Sequence, residues 1–223
     1  MGERGGMSLQ LYGHPFSSYT WKALIPLYAN GTAFEFRSVD PDNPRNAVVV
    51  HKAHPAGKFP VLVDGDTTVF EATAIVEYLA VKHPGPAPLI PADPLEAVTA
   101  RMMDRAFDNY VMNHLQQVVF AYIADPENPD QAVLDKGKAE LLRTYRWLEQ
   151  WLAGNALPPH VSLVTCAAAP SLFYADWVER IPEDCPRLAA LRAELLALPA
   201  VARCVDDARP YRGFFPLGAP DRD

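Results

Sequence analysis

The sequence predicts a layered α/β unit of about eighty residues followed by an all-helical unit, and three observations predict it. Before residue 84, short apolar or alternating runs bounded by Gly, Pro and Asn interleave with stretches of helical period. From residue 95 onward nothing reads as a strand. Between them, Pro84, Pro86, Pro88, Pro91 and Pro94 make a stiff linker at 84–94.

Each element follows from local chemistry. Leu9, Leu11 and Tyr12 form a short strand ending at Gly13, and Pro15-Phe16-Ser17-Ser18 makes a turn. An apolar periodic run over 21–29 is a helix stopped by Asn30-Gly31, because Gly accepts the left-handed conformation there. Pro26 removes the bond to the Lys22 carbonyl and predicts a kink in the last turn. Residues 34–39 alternate as a strand, Pro41 and Pro44 punctuate a loop, and 46–52 predicts a short helix. Residues 60–63 read as a buried strand, 64–66 as a hairpin turn and 67–70 as its partner. Ala72, Ile75, Val76, Leu79 and Ala80 mark one face of a helix that ends near His83-Pro84. In the second half, helices are predicted over 95–124 (stopped by Asp125-Pro126), 131–152, from Ser162, over 186–197 and from near Ala200.

Composition narrows the function classes. With 49% hydrophobic residues in 223, the chain can build a real core. A formal net charge of -7 with scattered Lys and Arg argues against a nucleic-acid surface, which needs clustered cations to displace counterions, and against anionic membranes. No apolar run spans a bilayer, and residues 1–6 carry no apolar leader core, so a cytoplasmic protein is expected. Cys166, Cys185 and Cys204 are odd in number and lack metal or redox spacing, which predicts reduced, buried thiols.

Two segments carry chemistry. In Tyr12-Gly13-His14-Pro15-Phe16-Ser17-Ser18-Tyr19-Thr20-Trp21-Lys22, hydroxyls fall where a strand ends and a helix begins. Free N–H groups and the positive end of the helix dipole meet there, a good place for an anion such as a thiolate. On this segment alone, Ser17 or Ser18 acting as an ordinary helix cap is the simpler reading. In Gly57-Lys58-Phe59-Pro60-Val61-Leu62-Val63, a proline opens a central strand, and a cis bond at Phe59-Pro60 would leave the Phe59 backbone free for a peptide-like ligand. Glu71 then sits at the start of the next helix, where its charge suits the dipole.

Other candidates carry less. His51 and His54 are three apart without a third ligand, which reads as a solvated helix end and no metal site. Arg101, Asp104, Arg105, Asp108 and Tyr110 have the spacing of exposed i,i+3 and i,i+4 pairs. There is no Cys-x-x-Cys, nucleophile elbow or phosphate loop.

Taken jointly and in order, the two segments resemble the glutathione transferase family, in particular its serine-type, zeta-like bacterial members, over essentially the whole chain. The resemblance implies a thioredoxin-like glutathione-binding domain at 7–83, a helical domain at 95–208 holding the acceptor pocket, and a tail at 209–223. It places Ser17 as the residue that donates a hydrogen bond to the glutathione thiolate. Ser18, Lys58, Phe59, Pro60, Glu71, Ala72 and Thr73 fall on the glutathione-binding positions, and Arg105, Tyr110 and His114 border the acceptor pocket. Residues 167–176 fall on the family's central core helix. Glutathione is the implied co-substrate, a small electrophile the second substrate, and a homodimer the implied assembly, with no metal.

The sequence departs from the family twice. The usual Glu-Ser pair is Glu71-Ala72, so the hydroxyl that meets the γ-glutamyl carboxylate is missing, and Thr73 or the Ala72 N–H would have to replace it, with about 1–3 kcal/mol lost if the carboxylate goes unpaired. The family's Ser/Thr-x-x-Asp capping motif reads Ser162-Leu163-Val164-Thr165, which loses the reciprocal carboxylate. Two rivals share the resemblance: a glutathione-dependent isomerase or dehalogenase that keeps Ser17, and a non-catalytic binding protein that Ala72 would have made.

Overall fold

In a computed structural model that describes residues 9–223, the elements follow the expected order. Strands β1 (Gln10–Gly13), β2 (Glu35–Ser38), β3 (Val61–Asp64) and β4 (Thr67–Phe70) form one sheet in the order β2-β1-β3-β4. β1 runs parallel to β2 and antiparallel to β3, and β3 pairs antiparallel with β4. The fully buried Leu11 and Leu62 face one another across β1 and β3, at the middle of the sheet. Helices α1 (Ser18–Ala29), α2 (Pro44–Ala53) and α3 (Ala72–Lys82) complete a thioredoxin-like unit. The predicted start of that unit at residue 7, and the leader reading of residues 1–6, lie outside the described residues.

The second unit comprises α4 (Pro94–Ala106), α5 (Asn113–Ala124), α6 (Gln131–Leu152), α7 (Leu163–Val178), α8 (Pro186–Ala197) and α9 (Pro199–Ala208). Its centre is α7, in which every residue is buried. Trp21 of α1 packs on Phe173 of α7 with ring centroids 4.9 Å apart, so one apolar core crosses from unit to unit. Crossing the boundary ties Ser17, at the head of α1, to the helical unit.

Three sequence expectations need correction. The helix predicted over 95–124 is not uniform: Phe107–Met112 forms a π-helical turn between α4 and α5. Such turns widen the backbone and cluster at functional sites, and this one brings Asp108, Asn109 and Met112 to the cleft described below. The charged residues of that helix are not all on a solvated face: Asp104 is fully buried and Asp108 nearly so, because Lys22 of α1 is buried beside them. Finally, the cap of α7 is reciprocal after all. Ser162 accepts from the Thr165 N–H while the Thr165 hydroxyl accepts from the Ser162 N–H at 3.1 Å, so threonine takes the role of the missing carboxylate.

The reading of the cysteines agrees with the structure. The three cysteines are free and buried, and burial raises all three thiols above their ordinary range. Among the described residues no helix is long and apolar enough to cross a membrane, and no cluster of His, Cys, Asp and Glu could hold a metal ion.

Candidate active site

A cleft of about 720 Å³ opens between the two units. Its first wall is the head of α1. Ser17 is the N-cap: its hydroxyl oxygen accepts from the Thr20 N–H at 3.3 Å, and its backbone N–H donates to the His14 carbonyl at 3.0 Å. Gly13, at the end of β1, lets the chain turn tightly here, since a Cβ would lie 2.6 Å from the Thr20 side chain. Ser17, Ser18 and Tyr19 all face the cleft. Capping uses a lone pair of the Ser17 oxygen and leaves its proton: no acceptor among the described residues receives it. Cap and donor are therefore compatible roles. Tyr19 is a less acidic neighbour, its phenol pushed up to about 12 by burial first and the Asp108 charge second.

The second wall comes from the segment before β3. The Phe59-Pro60 peptide bond is cis, and Lys58, Phe59 and Pro60 line the cleft. Next to them are His54, Glu71 and Ala72. Glu71 caps α3 with φ of 68°, an uncommon conformation for a residue with a side chain, and its carboxylate is exposed 3.4 Å from the His54 Nε2. His54 thus belongs to the cleft and not to a merely solvated helix end. Its own sequence neighbourhood signalled nothing, since the contact depends on a residue 17 positions away.

The third wall is helical and apolar. Met112, Leu115, Val119, Phe120 and Ile123 come from the π-turn and α5, while Phe214 and Phe215 come from a short 3₁₀ helix (Arg209–Phe214) and the residue after it. The segment after α9 therefore folds back onto the cleft. Arg222 bonds to Asp176 and Asp223 to Arg209 and Arg212, which holds it there. No sequence signal marked Phe214 or Phe215, because their neighbours on the cleft are far away in the chain.

Behind the first wall lies a charged knot. Lys22 Nζ is 2.6 Å from Asp104 Oδ1 and 2.7 Å from Asp108 Oδ2, and Arg105 bonds both carboxylates. The Thr73 hydroxyl donates to Asp104 Oδ2 at 3.0 Å. Burial raises the Asp108 carboxyl above the usual range, against the opposing pull of Lys22.

The predicted residues divide accordingly. Ser17, Ser18, Lys58, Phe59, Pro60, Glu71, Ala72 and Arg105 line one cleft. Thr73 does not, because its hydroxyl is taken by Asp104, so it is badly placed to replace the missing serine. Tyr110 is exposed and His114 bonds back to the Tyr110 carbonyl at 2.9 Å; both lie off the cleft, on the side of the helix turned away from it. Sequence reasoning missed His54, Asp108, Phe120 and Tyr174.

Fold and cleft together define a thioredoxin-like unit with a helical partner and a polar, backbone-lined groove facing an apolar wall. Comparison with known proteins agrees. A family model described as "Glutathione S-transferase, N-terminal domain" matches residues 11–87. A probable maleylacetoacetate isomerase of Vibrio cholerae is 30% identical over 216 residues, covering 92% of this chain and 98% of that protein. Among solved structures, a glutathione S-transferase of Methylobacterium radiotolerans in complex with glutathione sulfonate is 26% identical, with a TM-score of 0.71 over 88% of this chain and 94% of that one. Glutathione transferase F2 of Populus trichocarpa, at 18% identity, shares the fold with a TM-score of 0.79 over 91% of this chain and 99% of that one. The chain belongs to the glutathione S-transferase family.

Proposed function

We propose that this protein is a glutathione transferase in which Ser17 donates a hydrogen bond to the glutathione thiolate, which then attacks a small electrophile. The observation that carries the reading is the Ser17 hydroxyl: its oxygen is occupied by the Thr20 N–H, while its proton is unclaimed and borders a groove that also contains Phe59 and Pro60. A hydroxyl that accepts one hydrogen bond is the better donor for the next.

The energetics suffice. A free thiol ionises near pH 8.5. One charge-assisted hydrogen bond favours the thiolate by about 1.5–3 kcal/mol and the helix terminus by about 0.3–1 kcal/mol. At about 1.4 kcal/mol per pKa unit, the thiol falls by roughly one to three units and is largely ionised near neutrality. Ser17 keeps its proton throughout, so it acts neither as nucleophile nor as base. The Phe59 backbone is suited to pairing with the peptide-like middle of glutathione, and Lys58 and His54 to its carboxylate. Glu71 suits its ammonium end. The electrophile would lie against Met112, Val119, Phe120, Ile123 and Phe214. On this reading β1–α3 is the glutathione-binding domain, the helices from α4 supply the acceptor side, and the surroundings are cytoplasmic.

A homodimer belongs to the same reading. Leu95, Val98 and Met102 form an exposed apolar row along α4, and Phe70 of β4 is also exposed, the sort of face a partner copy covers.

A second reading is favoured by the full-length Vibrio cholerae relative: the same thiolate would add to a cis double bond, allow rotation and leave again, so that glutathione is regenerated. Incubation with glutathione and chlorodinitrobenzene separates the cases. Conjugate formation that consumes glutathione supports transfer, and isomerisation of a cis-enone with glutathione recovered supports the second reading. Retention on immobilised glutathione with neither activity would make the protein a binding module, and failure to be retained would sink all three.

A further inference from the structure

A phenol from the helical unit reaches the loop that carries Ser17. Tyr174, on α7, is 5% exposed, and its hydroxyl donates to the Phe16 carbonyl at 2.9 Å. That carbonyl belongs to the peptide unit joining Phe16 to Ser17, whose N–H donates to the His14 carbonyl at 3.0 Å. The peptide plane just before Ser17 is thus held at both ends, once by its own turn and once across the seam between the units. The Phe16 ring packs edge-on against Tyr174 with centroids 5.5 Å apart. Burial raises the Tyr174 phenol well above its ordinary range, so it stays a donor at every working pH. A second bond, from Trp21 Nε1 to the Pro15 carbonyl at 2.6 Å, fixes the preceding peptide unit but comes from Ser17's own helix.

We propose that Tyr174 is a positioning residue for Ser17, its hydroxyl fixing the Phe16-Ser17 peptide plane and so the direction in which the Ser17 hydroxyl meets the glutathione sulfur. The inference rests on the transferase reading above. A peptide plane freed at one end can rotate, and a hydroxyl that follows it is misaligned with the sulfur, which weakens a bond made chiefly to the charged form of the thiol.

The test is Tyr174→Phe, which keeps the ring and removes only the hydroxyl. It is read by the pH dependence of kcat/KM with chlorodinitrobenzene, the KM for glutathione and the thermal midpoint. The expected result is a fall in kcat of about ten-fold and an apparent thiol pKa about one unit higher, with the glutathione KM held within about two-fold. The other charged or titratable groups near the loop and the phenol are His14 with Asp40 and Tyr211, Tyr19 with Arg105 and Asp108, and His54, Lys58, Glu71, Cys204 and Arg212, and the variant leaves all of them in place. Trp21→Phe is the control: it loses the bond to Pro15 and is expected to lower the melting point without moving the pH profile. The inference is overturned if Tyr174→Phe melts lower but keeps the wild-type kcat and pH profile, or if Trp21→Phe moves that profile equally. Absence of glutathione turnover in the wild type would sink the transferase reading itself.

Discussion

Helix α1 carries two polar clusters that are opposites in construction. At its head, Ser17, Ser18 and the free N–H groups are uncharged, open to the cleft and short of partners. One turn on, Lys22 is sealed between Asp104 and Asp108, with each charge answered. The contrast teaches where function can sit. A cluster whose charges are paired inside the protein serves first to clamp the two units, and only its edge, Arg105 and Asp108, reaches the cleft. A cluster with one proton unclaimed can serve a thiolate.

Breaking the sealed cluster should have the largest effect. Lys22→Met leaves two buried carboxylates with Arg105 as their one cation and the Thr73 hydroxyl on Asp104, and the folded state should lose about 3–5 kcal/mol in urea unfolding. A loss below about 1 kcal/mol would mean that the knot is no clamp. Restoring a hydroxyl across the cleft from the open cluster comes next. Ala72→Ser restores the hydroxyl that the family pattern has at the start of α3, and the glutathione KM should fall by about ten-fold, within the range expected for one bond to a charged group. An unchanged KM would show that the Ala72 N–H and its neighbours already satisfy the carboxylate. The smallest change probes the apolar wall. Phe120 is 57% exposed, so Phe120→Ala should cost little stability and should raise the KM for an aromatic electrophile by about five-fold while leaving that for glutathione alone. A matching rise in the glutathione KM would place Phe120 on the wrong side of the cleft.

The two clusters also differ in how far they could be read from the sequence. The place of Ser17 at a helix head was legible because it is local: a strand end, a turn and a helix start lie within ten residues, whereas its donor role toward a thiolate came only from the family resemblance; the cis bond at Phe59-Pro60 was legible in the same local way. The knot was not, since Lys22 and Asp108 are 86 positions apart and the i,i+4 spacing on α4 suggests solvent-facing pairs. Thr73 shows the same limit. It stands next to Ala72, yet the buried Asp104 claims its hydroxyl. Tyr110 and His114 belong to the same helical run as the apolar wall but do not line the cleft, and the i,i+3 and i,i+4 spacing alone does not say which face of that run the cleft takes. The capping box of α7 was half legible: Ser162 was expected to cap, whereas the return bond by a threonine hydroxyl departs from the family's carboxylate.

The most direct test of the open cluster is the ultraviolet absorbance of the thiolate of enzyme-bound glutathione, titrated from pH 5 to 9 in the wild type and in Ser17→Ala. In the wild type the bound thiol should ionise about one to three units below the free one, and in the variant it should return most of the way with glutathione still bound. A bound thiol with the same low pKa in both proteins would contradict this and return Ser17 to the rank of an ordinary helix cap.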